Sequence, residues 1–409
     1  MRKTKALRVA AFRGPGARRN GVRNLHARRG MNLRLLAMIL AALLAACRTN
    51  PTRLPAAGTT AGVALDTVAT GLKVPWDLAF APDERIFVTE RDGRIRVVER
   101  GVLRPEPWAT LAVSRRSELG LMGIALAPDF ARSGHVFVVG SFRTGGDSVE
   151  NRVYRLTEHN GRGGEQVMVL GGIRVAKYHA GAALRFGPDG MLYLTTGDAT
   201  HPGTSQDSTA LTGKVLRLRP DGGVPADNPI AGSYVYARGV RNPQGLAWHP
   251  RTGHLFAPDH GPTRLPREWF RAGRDELNVI LPGANYGWPE ASGDAGGPEF
   301  VRPLVEWTPA LAPGGMAFYT GTEFPWAGDA FVAGLRGQRL MRIVLQPAPG
   351  TRTGWRAAAA EPLFAGQLGR IRTVVMGPDG SLYLTTSNRD GRGTPRPGDD
   401  LLLRIVHRR

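Results

Sequence analysis

Residues 186–198 read FGPDGMLYLTTGD: an apolar residue, a proline turn (Gly187-Pro188-Asp189-Gly190), then a run rich in aromatic and β-branched residues. That order of turn and short strand is a β-hairpin signal rather than a helical one. The unit recurs in both directions along the chain. Upstream it is Phe80-Ala81-Pro82-Asp83 with RIFVTE, and Leu126-Ala127-Pro128-Asp129 with HVFVVGSF. Downstream it is Trp248-His249-Pro250 with GHLFAPDHG, a looser copy over 318–343, and Met376-Gly377-Pro378-Asp379-Gly380 with SLYLTTSN. The turn prolines at 82, 128, 188, 250, 325 and 378 stand 46, 60, 62, 75 and 53 residues apart. Spacings of about 45 residues and above suit the blades of a propeller with variable loops.

Six copies therefore predict an all-β six-bladed β-propeller of four-stranded antiparallel blades over residues 63–409. A single blade has two apolar faces and needs neighbours to cover them, which is the physical reason for repetition. Residues 66–72 and 401–406 are the expected closing strands. A two-sheet sandwich is the alternative, but it does not account for six copies of one unit.

Composition bounds the rest. The chain has 409 residues, 42% hydrophobic, enough to fill a core of this size, and its single Cys excludes a disulfide framework or a Cys-rich metal site. The formal charge is +20, but residues 1–46 hold eleven Lys/Arg and no acid, so 20 − 11 leaves +9 on the remainder. Those remaining basic residues are interspersed with acids, which argues against nucleic acid as a partner. No Walker A, HExxH, CxxC or GxSxG motif occurs, and no glycine cluster has dinucleotide spacing.

At the front, Met31 opens MNLRLLAMILAALLAAC, with a basic residue, a short apolar stretch and small residues before Cys47. This pattern is that of a secretory signal, and LAAC resembles the lipoprotein cleavage box. The expectation is a basic extension plus lipoprotein signal over 1–46 with a start at Met31, lipidation of Cys47, and a tether over 47–62. The domain would then sit on the periplasmic side of a bacterial envelope, touching the membrane only through its lipid anchor. A buried helix with a free Cys is the bland alternative.

Three segments exceed what blade scaffolding needs: KYHAGAALRF (177–186), RGVRNPQGLA (238–247), and DHGP (259–262) with DELN (275–278) and PGANYGWP (282–289). Together with GKVLRL (213–218) and VPADNP (224–229) they resemble the PQQ-dependent soluble aldose sugar dehydrogenases, the glucose/sorbosone dehydrogenase family. The resemblance runs in order from about Gly71 to Val406. It implies oxidation of an aldose at its anomeric carbon to a lactone, by hydride transfer to PQQ with calcium assistance and an external electron acceptor.

By the same resemblance His179 is the general base, an imidazole being suited to take a hydroxyl proton near neutral pH. Arg241 and Asn242 face the quinone, where a fixed guanidinium offsets developing negative charge. Arg336, Arg370 and Arg372 bind the cofactor's carboxylates, the planar fork of Arg matching that group. Gly261 and Pro262 offer calcium their backbone oxygens, and Asp275, Glu276 and Tyr286 match a second calcium site. Glu118 and Asp198 are substrate candidates. Each has a bland reading too: a blade-edge His, an ordinary Asn-Pro turn, a solvated acid pair, a turn Asp.

The chain departs from the family where Tyr178 replaces the Asp that precedes the base in glucose-specific relatives, leaving that carboxylate partner missing. Ala182 stands at a usual Gly, and Leu119 replaces the first Gly of another turn. A basic, aromatic insertion of twelve residues (263–274) suggests a lid. Two readings from other classes stay open: a non-catalytic envelope propeller binding glycan or protein, and a calcium-dependent lactone hydrolase. The latter lacks an evident cluster of oxygen side chains.

Overall fold

The computed structural model describes residues 62–262 and 273–408. The basic extension, the signal segment with Cys47, nearly all of the tether, and most of the 263–274 insertion lie outside these residues.

The repeated proline turns prove to be one structural joint used six times. Each links the first strand of a blade to the second. In the first blade Pro75–Phe80 turns into Ile86–Glu90, then Arg94–Glu99 and Val102–Leu103, with Ala109–Thr110 added beside the third strand. The second blade is Leu121–Leu126, His135–Gly145, Ser148–His159 and Arg162–Arg174, and the third is Leu184–Phe186, Leu192–Thr196, Lys214–Leu218 and Val235–Arg238. The fourth is Ala247–Trp248, Leu255–Asp259, Asp275–Ile280 and Val305–Trp307, and the fifth is Pro313–Phe318, Ala330–Gly334, Arg339–Pro347 and Trp355–Leu363. All pairings within these blades are antiparallel.

The turn chemistry explains why Pro-Asp-Gly recurs before Leu-Tyr-Leu. Asp189 accepts from the Met191 N–H with one oxygen (3.1 Å) and from the Tyr193 hydroxyl with the other (2.9 Å). Asp379 repeats this with Ser381 (3.2 Å) and Tyr383 (3.1 Å). Gly190 and Gly380 adopt φ of 74° and 82°, which favours glycine at both.

The sixth blade closes the ring. Ile371–Met376, Leu382–Thr386 and Leu402–His407 are completed by Val63–Ala69 from the start of the domain, with Leu65 opposite Ile405. The closing strand thus lies three residues before the expected 66–72. Leu72 has left the sheet and exchanges backbone hydrogen bonds with Asp400.

Among the described residues six apolar clusters hold the blades together, and each straddles neighbouring blades. Phe137 and Leu184 join blades two and three, while Phe331 and Leu384 join blades five and six. Leu78, Tyr383 and Leu402 bridge the last blade to the first. This is the radial burial that the repeat requires.

Asp400 stands at that closure, fully buried, its carboxylate accepting from the Asn388 N–H (2.6 Å) and the Val74 N–H (3.3 Å). Burial, reinforced by the Asp399 charge, pushes its pKa up to about 6. The folded protein therefore binds this proton more tightly than the unfolded chain, and the contribution to stability falls as pH rises from about 4 to about 6. In thermal melts from pH 4 to 7, Asp400→Asn is expected to gain in Tm relative to wild type as the pH rises. A difference that stays constant with pH would contradict this.

Candidate active site

Every blade enters the ring with its first strand and leaves along its second, so the start of strand one and the end of strand two lie at the same end of the ring. Here the chemistry gathers. A cavity of about 500 Å³ is lined by Trp76, Arg91, Glu118, Tyr178, His179, Arg241, Asn242, Gln244, His260, Arg336, Arg370, Arg372, Asp390 and Arg392, among others. The proline turns occupy the opposite end, where Pro82 and Pro378 border a different groove. The imidazole and the guanidiniums singled out in the sequence thus share one chamber, with contributions from all six blades.

His179 sits just before the inner strand of blade three, at φ 62°, with Gly181 and Ala182 also at positive φ (65° and 85°). Holding non-glycine residues there costs roughly 1–3 kcal/mol each, which surrounding contacts must offset. The departure at Ala182 therefore falls where a glycine would be relaxed. Three contacts brace the segment. The His179 N–H donates to Glu118 Oε2 (2.9 Å), and the Gly181 N–H donates to Asn242 Oδ1 (2.9 Å). Gly197 supplies the third, its backbone so close that an added Cβ would lie 1.9 Å from the His179 carbonyl oxygen.

The ring of His179 is fixed at both nitrogens. Nδ1 lies 2.7 Å from Asp198 Oδ1, and Nε2 lies 2.9 Å from Nη2 of Arg241. A carboxylate only accepts and a guanidinium only donates, so the two partners agree on one tautomer: proton on Nδ1, lone pair on Nε2. Asp198 is itself fully buried and accepts from the Trp288 indole (2.8 Å) and the Thr200 N–H (2.8 Å). Burial alone would raise its pKa, but the hydrogen bond and charge of His179, the Arg241 charge and the Trp288 N–H hold it below the usual carboxylate range.

Two sequence expectations are corrected here. Asp198 is not a substrate contact: it is sealed behind His179 and does not line the cavity. And His179 does not lack a carboxylate partner for want of an Asp at 178, because Asp198 is that partner.

Arg241 and Asn242 are positioned by a residue the sequence reading quoted without assigning. Asp259, at the end of the second strand of blade four, accepts from the N–H of Arg241 (2.8 Å) and of Asn242 (2.7 Å). Burial raises its pKa to about 6 despite those two donors. The Arg241 guanidinium, 1% exposed, also stands 5.4 Å from the Trp288 ring centroid and donates weakly to the His260 carbonyl (3.4 Å). Asn242 is less a cavity reagent than a clamp, since its side-chain oxygen holds Gly181.

Arg336, Arg370 and Arg372 all reach the cavity. Arg370 pairs with Asp390 (2.8 Å), while Arg372 donates to Gln244 (2.7 Å) and lies over Trp76. Burial, with Arg370 beside it, lowers Arg372 to about 10. The sequence reading missed Arg91 and Arg392. Arg392 donates to Glu118 (2.9 Å), linking blade six to the loop before blade two, and stacks near Tyr178. Six arginines thus face two carboxylates, Glu118 and Asp390, leaving an excess of four positive charges. A wall of this kind is built for an anion.

The expected metal ligands divide. The Gly261 N–H donates to Asp275 Oδ1 (2.8 Å), and the Pro262 carbonyl accepts from the Gly273 N–H (2.9 Å). Asp275, Glu276 and Tyr286 do not converge on a common point. Asp275 holds the backbone of Gly261 and Ala312, Glu276 accepts from Asn278 and Gly293, and the Tyr286 hydroxyl closes its own hairpin between Val279 and Leu281. Nearby, Arg274 bridges Glu306, Asp294 and the Ser292 carbonyl. Among the described residues no three His, Cys, Asp or Glu side chains gather as a metal site.

Comparison with known proteins agrees with this geometry. The chain is 30% identical to aldose sugar dehydrogenase YliI of Escherichia coli K12, over 81% of this chain and 92% of that one. It is likewise 30% identical to quinoprotein glucose dehydrogenase B of Acinetobacter calcoaceticus, over 66% of this chain and 63% of that one. The PQQ-bound structure of aldose sugar dehydrogenase from Streptomyces coelicolor superposes with a TM-score of 0.72 at 38% identity, covering 85% of this chain and 99% of that one. With the glucose/sorbosone dehydrogenase family model matching residues 72–404, the chain belongs to the glucose/sorbosone dehydrogenase family.

Proposed function

We propose that this protein oxidises an aldose at its anomeric carbon, giving the lactone, with PQQ as the immediate electron acceptor and an external acceptor restoring it. The observation that carries this reading is the single chamber in which the His179 imidazole stands 2.9 Å from Arg241 and faces an excess of positive charge. The chain is an oxidoreductase of the sugar dehydrogenase class, and the Streptomyces coelicolor relative named above is PQQ-bound.

The residues fit a tricarboxylate quinone. The cavity has the size of a cofactor site, and the Nε of Arg372 is buried in its wall without a hydrogen-bond partner. Arg336, Arg370 and Arg372 would hold the carboxylates, and Arg241 the quinone oxygens. When bound, PQQ supplies the two-electron acceptor for the hydride leaving the anomeric carbon. His179 accepts the hydroxyl proton of that carbon at Nε2 once the entering hydroxyl displaces the Arg241 hydrogen bond there, while Asp198 accepts from the Nδ1–H and balances the charge formed on the ring. Arg241 is anchored through its backbone to Asp259, so its guanidinium offers a fixed cation with little reorganisation. Glu118, half in the wall and held by Arg392, can accept a sugar hydroxyl hydrogen bond.

Calcium is proposed at the backbone oxygens of Gly261 and Pro262. Carbonyls are hard donors suited to it, although the Pro262 oxygen already receives one hydrogen bond, and no step here is routed through the metal. The envelope location rests on the sequence around Cys47 alone and is likewise a proposal.

The full domain, loaded with PQQ and calcium, is expected to reduce an artificial dye in the presence of aldoses. Loaded protein that turns over no member of a broad aldose panel would remove the sugar assignment.

A further inference from the structure

Arg91 follows the second strand of blade one, and its backbone has structural work to do. Its N–H donates to the Val74 carbonyl (3.1 Å), its carbonyl accepts from the Leu121 N–H (3.3 Å), and Gly120 packs directly against that carbonyl. These bonds tie blade one to blade two and would be made by any residue at this position. The side chain does something else. It extends into the cavity wall, and its Nε is buried without a hydrogen-bond partner. No carboxylate among the described residues forms a salt bridge with it, unlike nearby Arg94, which pairs with Glu90 (2.7 Å).

Three other cavity cations have side-chain partners: Arg370 is taken by Asp390, Arg392 by Glu118, and Arg372, whose Nε is likewise unpartnered, by Gln244, whereas Arg336 is exposed to solvent. Burial depresses the Arg91 guanidinium, and the Arg392 and Arg370 charges act in the same direction against Asp390 and Glu118. A half-desolvated cation beside like charges is unfavourable in the empty protein, and an anion at that point would offset the cost.

We propose that Arg91 is a further cofactor-binding residue, reading a carboxylate of the bound quinone from the blade-one side of the cavity, opposite in chain order to Arg370 and Arg372. This rests on the PQQ reading above. It also makes blade one, which otherwise lends the chamber only Trp76, a direct contributor to cofactor affinity.

The test is an absorbance titration of the full chain with PQQ, alongside thermal melts of the unloaded protein. Arg91→Met, which keeps an apolar stem, is expected to weaken PQQ binding about ten- to a hundredfold, the range for losing one charge-assisted hydrogen bond. Arg91→Lys is expected to fall between it and wild type. Unloaded Arg91→Met is expected to melt no lower than wild type, because it loses an unpaired cation and no ion pair. Wild type that binds PQQ while Arg91→Met binds it within twofold as well overturns the role of Arg91 and leaves the cofactor reading intact. A melting temperature several degrees lower in the unloaded variant also overturns it, by making the side chain structural. Wild type with no PQQ-dependent spectral change removes the cofactor reading itself, and this inference with it.

Discussion

Replacing His179 with alanine is expected to lower the sugar-dependent turnover of the PQQ-loaded protein by about 10²–10⁴-fold, the usual contribution of a positioned general base. The loss should fall on kcat, with PQQ affinity largely retained, because the cofactor is held by guanidiniums on other blades. Nε2 is the ring atom turned away from Asp198, its lone pair accepts from Arg241 in the unloaded protein until an entering hydroxyl displaces that bond, and the Arg241 guanidinium beside it offsets the negative charge that develops as the proton leaves. His260, which lines the same cavity, is a poor substitute, since burial and the Arg241 and Arg372 charges hold its pKa well below the ordinary value and make it a weak base. Steady-state dye reduction with matched PQQ occupancy checks this. A variant retaining a tenth of wild-type turnover would mean that the proton leaves by another route.

The second large effect is expected from Asp198→Asn, a change of one atom in a residue that never meets the sugar. In the wild type Asp198 accepts from three donors: His179 Nδ1, the Thr200 N–H and the Trp288 indole. An amide must turn its NH₂ toward one side. Facing Trp288 it opposes a group that can only donate. Facing His179 it forces the ring into the other tautomer, placing an N–H on Nε2 against the donors of Arg241 and removing the base. The first arrangement keeps the Nδ1 proton but sets two donors against each other and removes the counter-charge beside the ring, and the second removes the base, so kcat should fall about 10²–10⁴-fold, as when the orienting acid of a catalytic triad is made an amide. Nitrogen NMR of the ring distinguishes this from general damage: wild type should show protonation at Nδ1, the variant a shift toward Nε2. Wild-type kcat together with an unchanged ring spectrum would remove Asp198 from its positioning role.

The fold was legible because its signal is local. Pro-Asp-Gly followed by Leu-Tyr-Leu works within eight residues, since Asp189 and Asp379 each close the turn and hold the tyrosine of the next strand. The closing strand was displaced by three residues in the reading because its partner, Leu402–His407, is over three hundred residues away and sets the register. The site was legible in proportion to motif length. RNPQGLA and KYHAG carried Arg241, Asn242 and His179, whereas Asp198 looked like one more turn acid in LTTGD, and only its contact with His179 reveals its task. Arg91 and Arg392 had no signal at all. Among so many arginines, what marks them is position at the mouth of the ring, and the Arg392–Glu118 link spans 274 residues of chain. Asp275 and Glu276 illustrate the reverse: a suggestive acid pair whose oxygens are occupied by backbone N–H groups and an Asn amide.

The most direct test of the whole account is the absorbance spectrum of the PQQ-loaded protein, recorded without oxygen before and after an aldose is added. The account predicts that sugar converts the spectrum from the oxidised quinone to the reduced form in wild type and that His179→Ala slows the conversion by at least a hundredfold. A loaded wild-type spectrum that no aldose alters would contradict it.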